Sequence, residues 1–193
     1  MDTNIQLTDG LITLRPPCPA DVPDIHLAVQ ESLAELSQWM DWATPNYNEH
    51  SIRRWLEHVT LSWEHSSGFQ FAITDSATGQ YLGNCGVDGI DERLRSCNIG
   101  YWVRTGRTGQ GIASRATRLA ARFAFETMKL VRAEISIATG NTASQRAAQK
   151  AGAHFESIQP NRCVVRLAVY DAVIYALTPE DLGPTASQHR IGN

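Results

Sequence analysis

The chain shows no large excess of either charge, no long apolar run, no repeat or low-complexity tract, and no cysteine pair at metal-ligand spacing. Its 17 Lys and Arg stand against 20 Asp and Glu, a formal net charge of −3, so no global field holds nucleic acid or an anionic membrane. No stretch approaches the ~18 apolar residues that a membrane helix needs. The N-terminus, MDTNIQLTDG, is acidic and polar where a secretory signal is basic and then apolar. These absences predict a cytoplasmic protein with neither nucleic-acid nor membrane binding. Cys18, Cys85, Cys97 and Cys163 include no C-x-x-C pair, and none has a histidine at ligand spacing. They read as reduced, mostly buried thiols, and no metal is expected.

What is present is ordinary globular material: 193 residues, 42% hydrophobic and 19% charged. A chain of this length buries roughly 70% of its unfolded surface without staples. The expectation is one domain over residues 1–178 and a polar tail, residues 179–193, whose Gly and Pro predict mobility.

Residues 11–15 (LITLR) alternate apolar and polar and predict a first strand. Asp21 is a candidate N-cap for a helix whose stripe is Val22, Ile25, Val29, Leu33 and Leu36; a second stripe is Ile52, Trp55, Leu56, Val59 and Trp63. The segment between them holds Trp39 and Trp42, read first as plugs of the core and second as the wall of a substrate pocket. Strands follow at residues 69–73, 81–87 and 97–104, a meander. A long helix then carries Ile112, Ala116, Leu119, Phe123 and Met128 on one face. Residues 131–138 read as a strand, 141–151 as a short helix, and 155–158 and 164–177 as two last strands. The order predicts an α/β protein with a mixed sheet, because strand, helix and strand in succession (97–104, 112–128, 131–138) imply one parallel pair.

The most informative stretch runs from Ile99 through GYWVRTGRTGQG to Ile112 and Ala113. A strand ends, and Gly106, Gly109 and Gly111 alternate with polar residues directly before a helix. Glycines let backbone N–H groups turn toward one point, and the helix N-terminus adds about half a positive charge. Such a turn suits a phosphate or pyrophosphate; the bland alternative is a tight turn and nothing more. A P-loop would end in G-K-[ST], which Gly111-Ile112-Ala113 does not supply, and the G-x-G-x-x-G dinucleotide fingerprint fails on spacing.

Thr108-Gly109-Gln110-Gly111-Ile112-Ala113 resembles the Q/R-x-x-G-x-G/A signature of the GNAT N-acetyltransferase superfamily. Ile99-Gly100-Tyr101-Trp102 resembles its RimJ/RimL-like branch, which acetylates the N-termini of ribosomal proteins. Asn141 and Ser144 fall on that family's N-x-x-S segment, followed by a helix ending at Gly152; Trp39-Met40-Asp41-Trp42 and Tyr170-Asp171 are similar to further segments of the branch. The resemblance reaches to about Leu177. It implies a GNAT-like fold: a mostly antiparallel sheet of six to seven strands, with one parallel pair splayed around the cofactor, and about four helices. It implies acetyl-CoA as co-substrate and direct attack by a free amine, on a peptide N-terminus or a small molecule, in a ternary complex. Trp102, Val103, Thr108, Gly109, Gln110, Gly111, Ile112, Ala113, Asn141 and Ser144 are the implied cofactor contacts. The resemblance further implies that Ser144 hydrogen-bonds the departing thiolate and that backbone N–H near Trp102 and Val103 meets the oxyanion; the residues alone also allow a plain helix cap, with Asn141 as N-cap and Ser144 in the first turn. A monomer or homodimer is expected.

Two positions depart from the family. Thr108 replaces Gln or Arg, leaving Arg107 to supply a longer contact, and Asn98 stands where many relatives carry Glu. Asparagine accepts no proton at neutral pH, so the base is unassigned among Glu35, Asp41, Asp88, Asp91 and Glu92. An α-amine of pKa about 7.7–8.0 costs only roughly 1 kcal/mol to deprotonate at pH 7, whereas a lysine near 10.4 costs nearly 5 kcal/mol. Weak or water-relayed assistance suffices for the first and not for the second. These departures also motivate an alternative, a non-catalytic acyl-CoA-binding sensor on the same fold. Arg115, Arg118 and Arg122 form a stripe read as a solvated face, with Arg115 close enough to the turn to help a phosphate.

Overall fold

The structure, a computed structural model, describes residues 5–183. It is one eight-stranded sheet with helices on both faces. The strands are β1 (Leu7–Thr8), β2 (Ile12–Arg15), β3 (Phe69–Asp75), β4 (Tyr81–Asp91), β5 (Ser96–Val103), β6 (Arg132–Ala138), β7 (His154–Val165) and β8 (Ala168–Leu177). Their order across the sheet is β1-β2-β3-β4-β5-β6-β8-β7. All neighbours are antiparallel except β5 and β6, the one parallel pair expected. The helices are α1 (Val22–Glu31), α2 (Leu33–Leu36), α3 (Glu49–Glu64), α4 (Ile112–Arg122) and α5 (Thr142–Ala151). No described helix is long and apolar enough to cross a membrane.

The strand and helix totals exceed expectation for local reasons. β1 is a two-residue hairpin arm, closed by the Asp9 carboxylate accepting N–H bonds from Leu11 and Ile12 at 3.0 Å each. The first helical stripe breaks at Ser32, whose hydroxyl accepts the Thr105 N–H at 2.9 Å from the short turn that follows β5. Asp21 does not cap α1 with its side chain. Its carboxylate instead accepts from Cys18 N–H at 2.8 Å and pairs with Arg15 at 2.6 Å. Past Arg122 the long helix loosens into a π-turn, Phe123–Thr127, which keeps Phe123 in the core.

Alternation puts two cores on the sheet. Cys85, Val87, Cys97 and Ile99 face α4, where Phe123 meets Phe69, Phe71 and Trp63 edge-on or tilted. On the opposite face, Ala72 and Tyr81 pack under α1 and α3 through Ile25, Val29, Ile52 and Leu56.

The arginine stripe is not a solvated face. Arg118 donates to the Ala151 carbonyl at 2.9 Å and the Leu182 carbonyl at 3.3 Å, Arg122 donates to Leu182 at 2.9 Å, and Arg115 pairs with Asp9 at 2.6 Å. The two bonds to the Leu182 carbonyl hold a 3-10 turn, Pro179–Leu182, with Leu182 buried. The folded chain therefore runs past Thr178, and residues 184–193 of the expected tail lie outside the described residues.

Candidate active site

β5 and β6 pair only at Ser96↔Arg132, Cys97↔Ala133 and Asn98↔Glu134. Beyond Asn98 the two strands part. The wedge is the Asn98 carboxamide, whose oxygen accepts the Ser136 N–H at 3.4 Å where a ladder carbonyl would otherwise stand. A cavity of about 600 Å³ opens in the fork, running from Gly100, Tyr101 and Trp102 past Ser136 to the head of α4 and the first turn of α5.

Backbone alternation decides what β5 offers to this opening. Arg104 N–H donates to Leu82 O at 2.8 Å, so even-numbered residues point their N–H to β4 and odd-numbered ones point theirs to the β6 side. The Val103 and Tyr101 N–H groups therefore face the fork, and that of Trp102 does not.

At the head of α4, Gly109 and Gly111 adopt φ of +76° and +78°, the left-handed region that a Cβ penalises by roughly 1–2 kcal/mol. This conformation leaves the N–H groups of residues 109–114 without an acceptor among the described residues. Converging donors and a helix N-terminus make an anion site. Gly106 is not part of it, because its N–H donates to Glu31 Oε1 at 2.7 Å. Thr108 N–H and hydroxyl both go to the Thr105 carbonyl, at 3.2 and 2.9 Å, and Arg107 donates to Gln80 at 2.5 Å. The Thr108 donors are thus spent on the turn itself, while Arg107 lines the cavity with one guanidinium nitrogen held by Gln80.

Across the cavity, the Asn141 side chain caps α5 by accepting the Ser144 N–H at 3.0 Å. Ser144 Oγ donates to the Tyr101 hydroxyl at 3.1 Å, and the Tyr101 hydroxyl donates to the Ser144 carbonyl at 2.9 Å. Burial pushes the Tyr101 phenol up to about 12, against a smaller lowering by Ser144. Tyr101 thus keeps its proton at neutral pH, beside the serine that the motif singled out. Tyr101 lies inside the quoted motif, yet its partner is 43 positions away, so nothing local announced the pair.

Nine expected contacts line this one cavity: Trp102, Val103, Thr108, Gly109, Gly111, Ile112, Ala113, Asn141 and Ser144. Gln110 turns outward into a neighbouring basic cavity with Arg115, Arg118, Arg122 and Lys150. Trp39 is a wall of the main cavity and not a plug of the core; its ring crowds the Cβ position of Gly140, 3.0 Å away. Trp42 is 37% exposed and tilts against Trp102 and Tyr47, with ring centroids 5.9 and 5.1 Å apart. Among the described residues no cluster of His, Cys, Asp and Glu could hold a metal ion.

The family model described as "Acetyltransferase (GNAT) domain" matches residues 12–154. Over 170 residues the chain is 25% identical to a Bacillus subtilis (strain 168) protein named "Putative ribosomal N-acetyltransferase YdaF", covering 86% of this chain and 90% of that one. Among solved structures, Mycobacterium smegmatis RimJ in complex with CoA-disulfide superposes with a TM-score of 0.83 at 24% identity, over 95% of this chain and 90% of that chain. The microcin C7 self-immunity acetyltransferase MccE, in complex with acetyl-CoA and AMP, gives 0.83 at 19% identity, over 92% and 97%. These last two likenesses are likenesses of fold.

Proposed function

The chain belongs to the GNAT acetyltransferase family, and from that premise we propose that it moves an acetyl group from acetyl-CoA to a free amine by direct attack in a ternary complex. The acceptor class is a protein N-terminal α-amine or a small-molecule amine. The observation that carries this reading is the row of unpaired N–H groups over residues 109–114, at one end of a cavity whose other end is the β5–β6 fork. A diphosphate fits the first, and a slender thioester arm fits the second. The relatives' names point the same way, to coenzyme A ligands and to N-acetylation.

Each residue then has a task. Residues 109–114 hold the diphosphate with backbone donors, and Trp39 and Asn141 border the arm. Val103 N–H faces the place where the oxyanion forms, and a donor fixed there before reaction stabilises that charge without reorganising. Tyr101 and Ser144 share hydroxyl protons within hydrogen-bond reach of each other, so the pair can deliver one proton to the departing sulfur.

The test is release of free coenzyme A thiol from acetyl-CoA across a panel of free amines and N-terminal peptides. Release with at least one acceptor is expected, together with about 2.7 kcal/mol of protection against unfolding at a hundredfold excess of acetyl-CoA over its dissociation constant. Protection without release from any acceptor would contradict transfer and leave a binding module.

A further inference from the structure

The face of β4 and β5 turned away from α4 carries three successive rungs of directly opposed pairs: Asn84↔Trp102, Gly86↔Gly100 and Asp88↔Asn98. The middle rung has no side chains. Gln70 folds its amide over Gly86, where a Cβ would lie 2.2 Å from Nε2, while the Cβ position of Gly100 has nothing within 4 Å. Gly100 is therefore an open floor at the mouth of the fork. One pleat along the same face, about 7 Å away, the Asn98 Nδ2 donates to Asp88 Oδ1 at 3.0 Å while its oxygen holds Ser136 N–H at 3.4 Å.

The other acidic candidates sit elsewhere in the fold. Glu35 lines the cavity past the end of β5, where it accepts from Thr105 Oγ1 at 3.1 Å; Asp41 accepts the Arg166 N–H; Asp91 accepts the Leu94 N–H at 2.8 Å; Glu92 is exposed in the turn between β4 and β5. The groups around Asp88 leave it without a cation. Toward β3 the neighbouring backbone is at Gly68, and Glu134, beyond Asn98 on β6, is held by Arg132 at 2.9 Å. The Cys85 and Cys97 thiols point to the opposite face. Burial pushes the Asp88 carboxyl up, and the Asn98 amide draws it partway back.

We propose that an acceptor ammonium seated over Gly100 gives its proton to Asp88 across one water, with Asn98 positioning that carboxylate from the neighbouring strand. This rests on the acetyltransferase reading. The balance is complete: Asp88 takes the first ammonium proton and returns it to solvent. The neutral amine forms the C–N bond as the C–S bond breaks, and the second amine proton reaches the sulfur through Tyr101 and Ser144.

The test is kcat/KM against pH, from 5.5 to 9.5, with an α-amine acceptor that the wild type turns over. The wild-type rate levels off below the acceptor's own pKa. Asp88→Asn instead climbs with the free-amine fraction up to about pH 8, so its loss is about twentyfold at pH 6.5 and fades by pH 9. The double variant D88N/N98D, which puts the carboxylate on β5, recovers most of that loss. Thermal protection by acetyl-CoA stays unchanged, and the D88N melting temperature at pH 7 is at or above wild type, because a buried charge has gone. Asn98→Leu is an independent probe that leaves the carboxylate in place: losing the amide raises the Asp88 pKa and moves the acid limb to higher pH. A D88N profile parallel to wild type, or Glu35→Gln reproducing the pH-dependent loss, overturns the assignment while transfer itself stands. A wild type that releases no thiol with any acceptor overturns the acetyltransferase reading and this inference with it.

Discussion

The two ends of the cleft are built by different means. The head of α4 presents backbone N–H groups from six adjacent positions, residues 109–114, and its shape depends on two left-handed glycines. The face proposed for the acceptor presents side chains, Gln70, Asn84, Asp88 and Asn98, brought together from three strands. Backbone recognition is insensitive to side-chain identity wherever the conformation survives, and side-chain recognition is the reverse. A surface meant for an invariant diphosphate can use the first kind, and one that selects among acceptors needs the second.

The sharpest way to break this comparison is to remove the left-handed turn. Replacing both Gly109 and Gly111 with Val is expected to weaken acetyl-CoA about a hundredfold by calorimetry, from roughly 1–2 kcal/mol of backbone strain at each site. Thr108→Ala and Gln110→Ala should change it less than threefold. A large loss from either alanine variant would mean that side chains build this end too.

The Tyr101–Ser144 pair lies between the two ends. Ser144→Ala and Tyr101→Phe are each expected to lower kcat about tenfold with acetyl-CoA affinity nearly unchanged, and the double variant should lose little more than either alone, because the two hydroxyls act through one network. Multiplying losses would mean two independent roles.

The smallest effect is expected away from the cleft. Arg118→Ala leaves the Ala151 and Leu182 carbonyls without that donor, so it should cost about 1–2 kcal/mol of stability and leave acetyl-CoA affinity unchanged. A loss of affinity would tie the basic cavity beside Gln110 to cofactor binding.

Legibility followed the same division. The strands over Phe69–Asp75 and Ser96–Val103, the parallel pair and the glycine turn were readable because each is written in neighbouring residues by period or spacing. The break at Ser32 inside the stripe from Val22 to Leu36 carries no local signal, because the bond behind it reaches Thr105, 73 positions away. The arginine stripe looked solvated because its acceptors are backbone carbonyls at residues 151 and 182, which carry no sequence signal. Asp88 was one carboxylate among several until strand register set it opposite Asn98. Trp39 reads as core in the sequence because a large aromatic buries well in either place; its position on the cavity wall depends on the tertiary fold.

The most direct measurement is amide chemical-shift mapping of the 15N-labelled chain as coenzyme A is added. The largest perturbations are expected at Gly109, Gln110, Gly111, Ile112, Ala113 and Ser114, with Tyr101 and Val103 next. Silent amides there, with the shifts concentrated around Arg115, Arg118 and Lys150, would contradict the account.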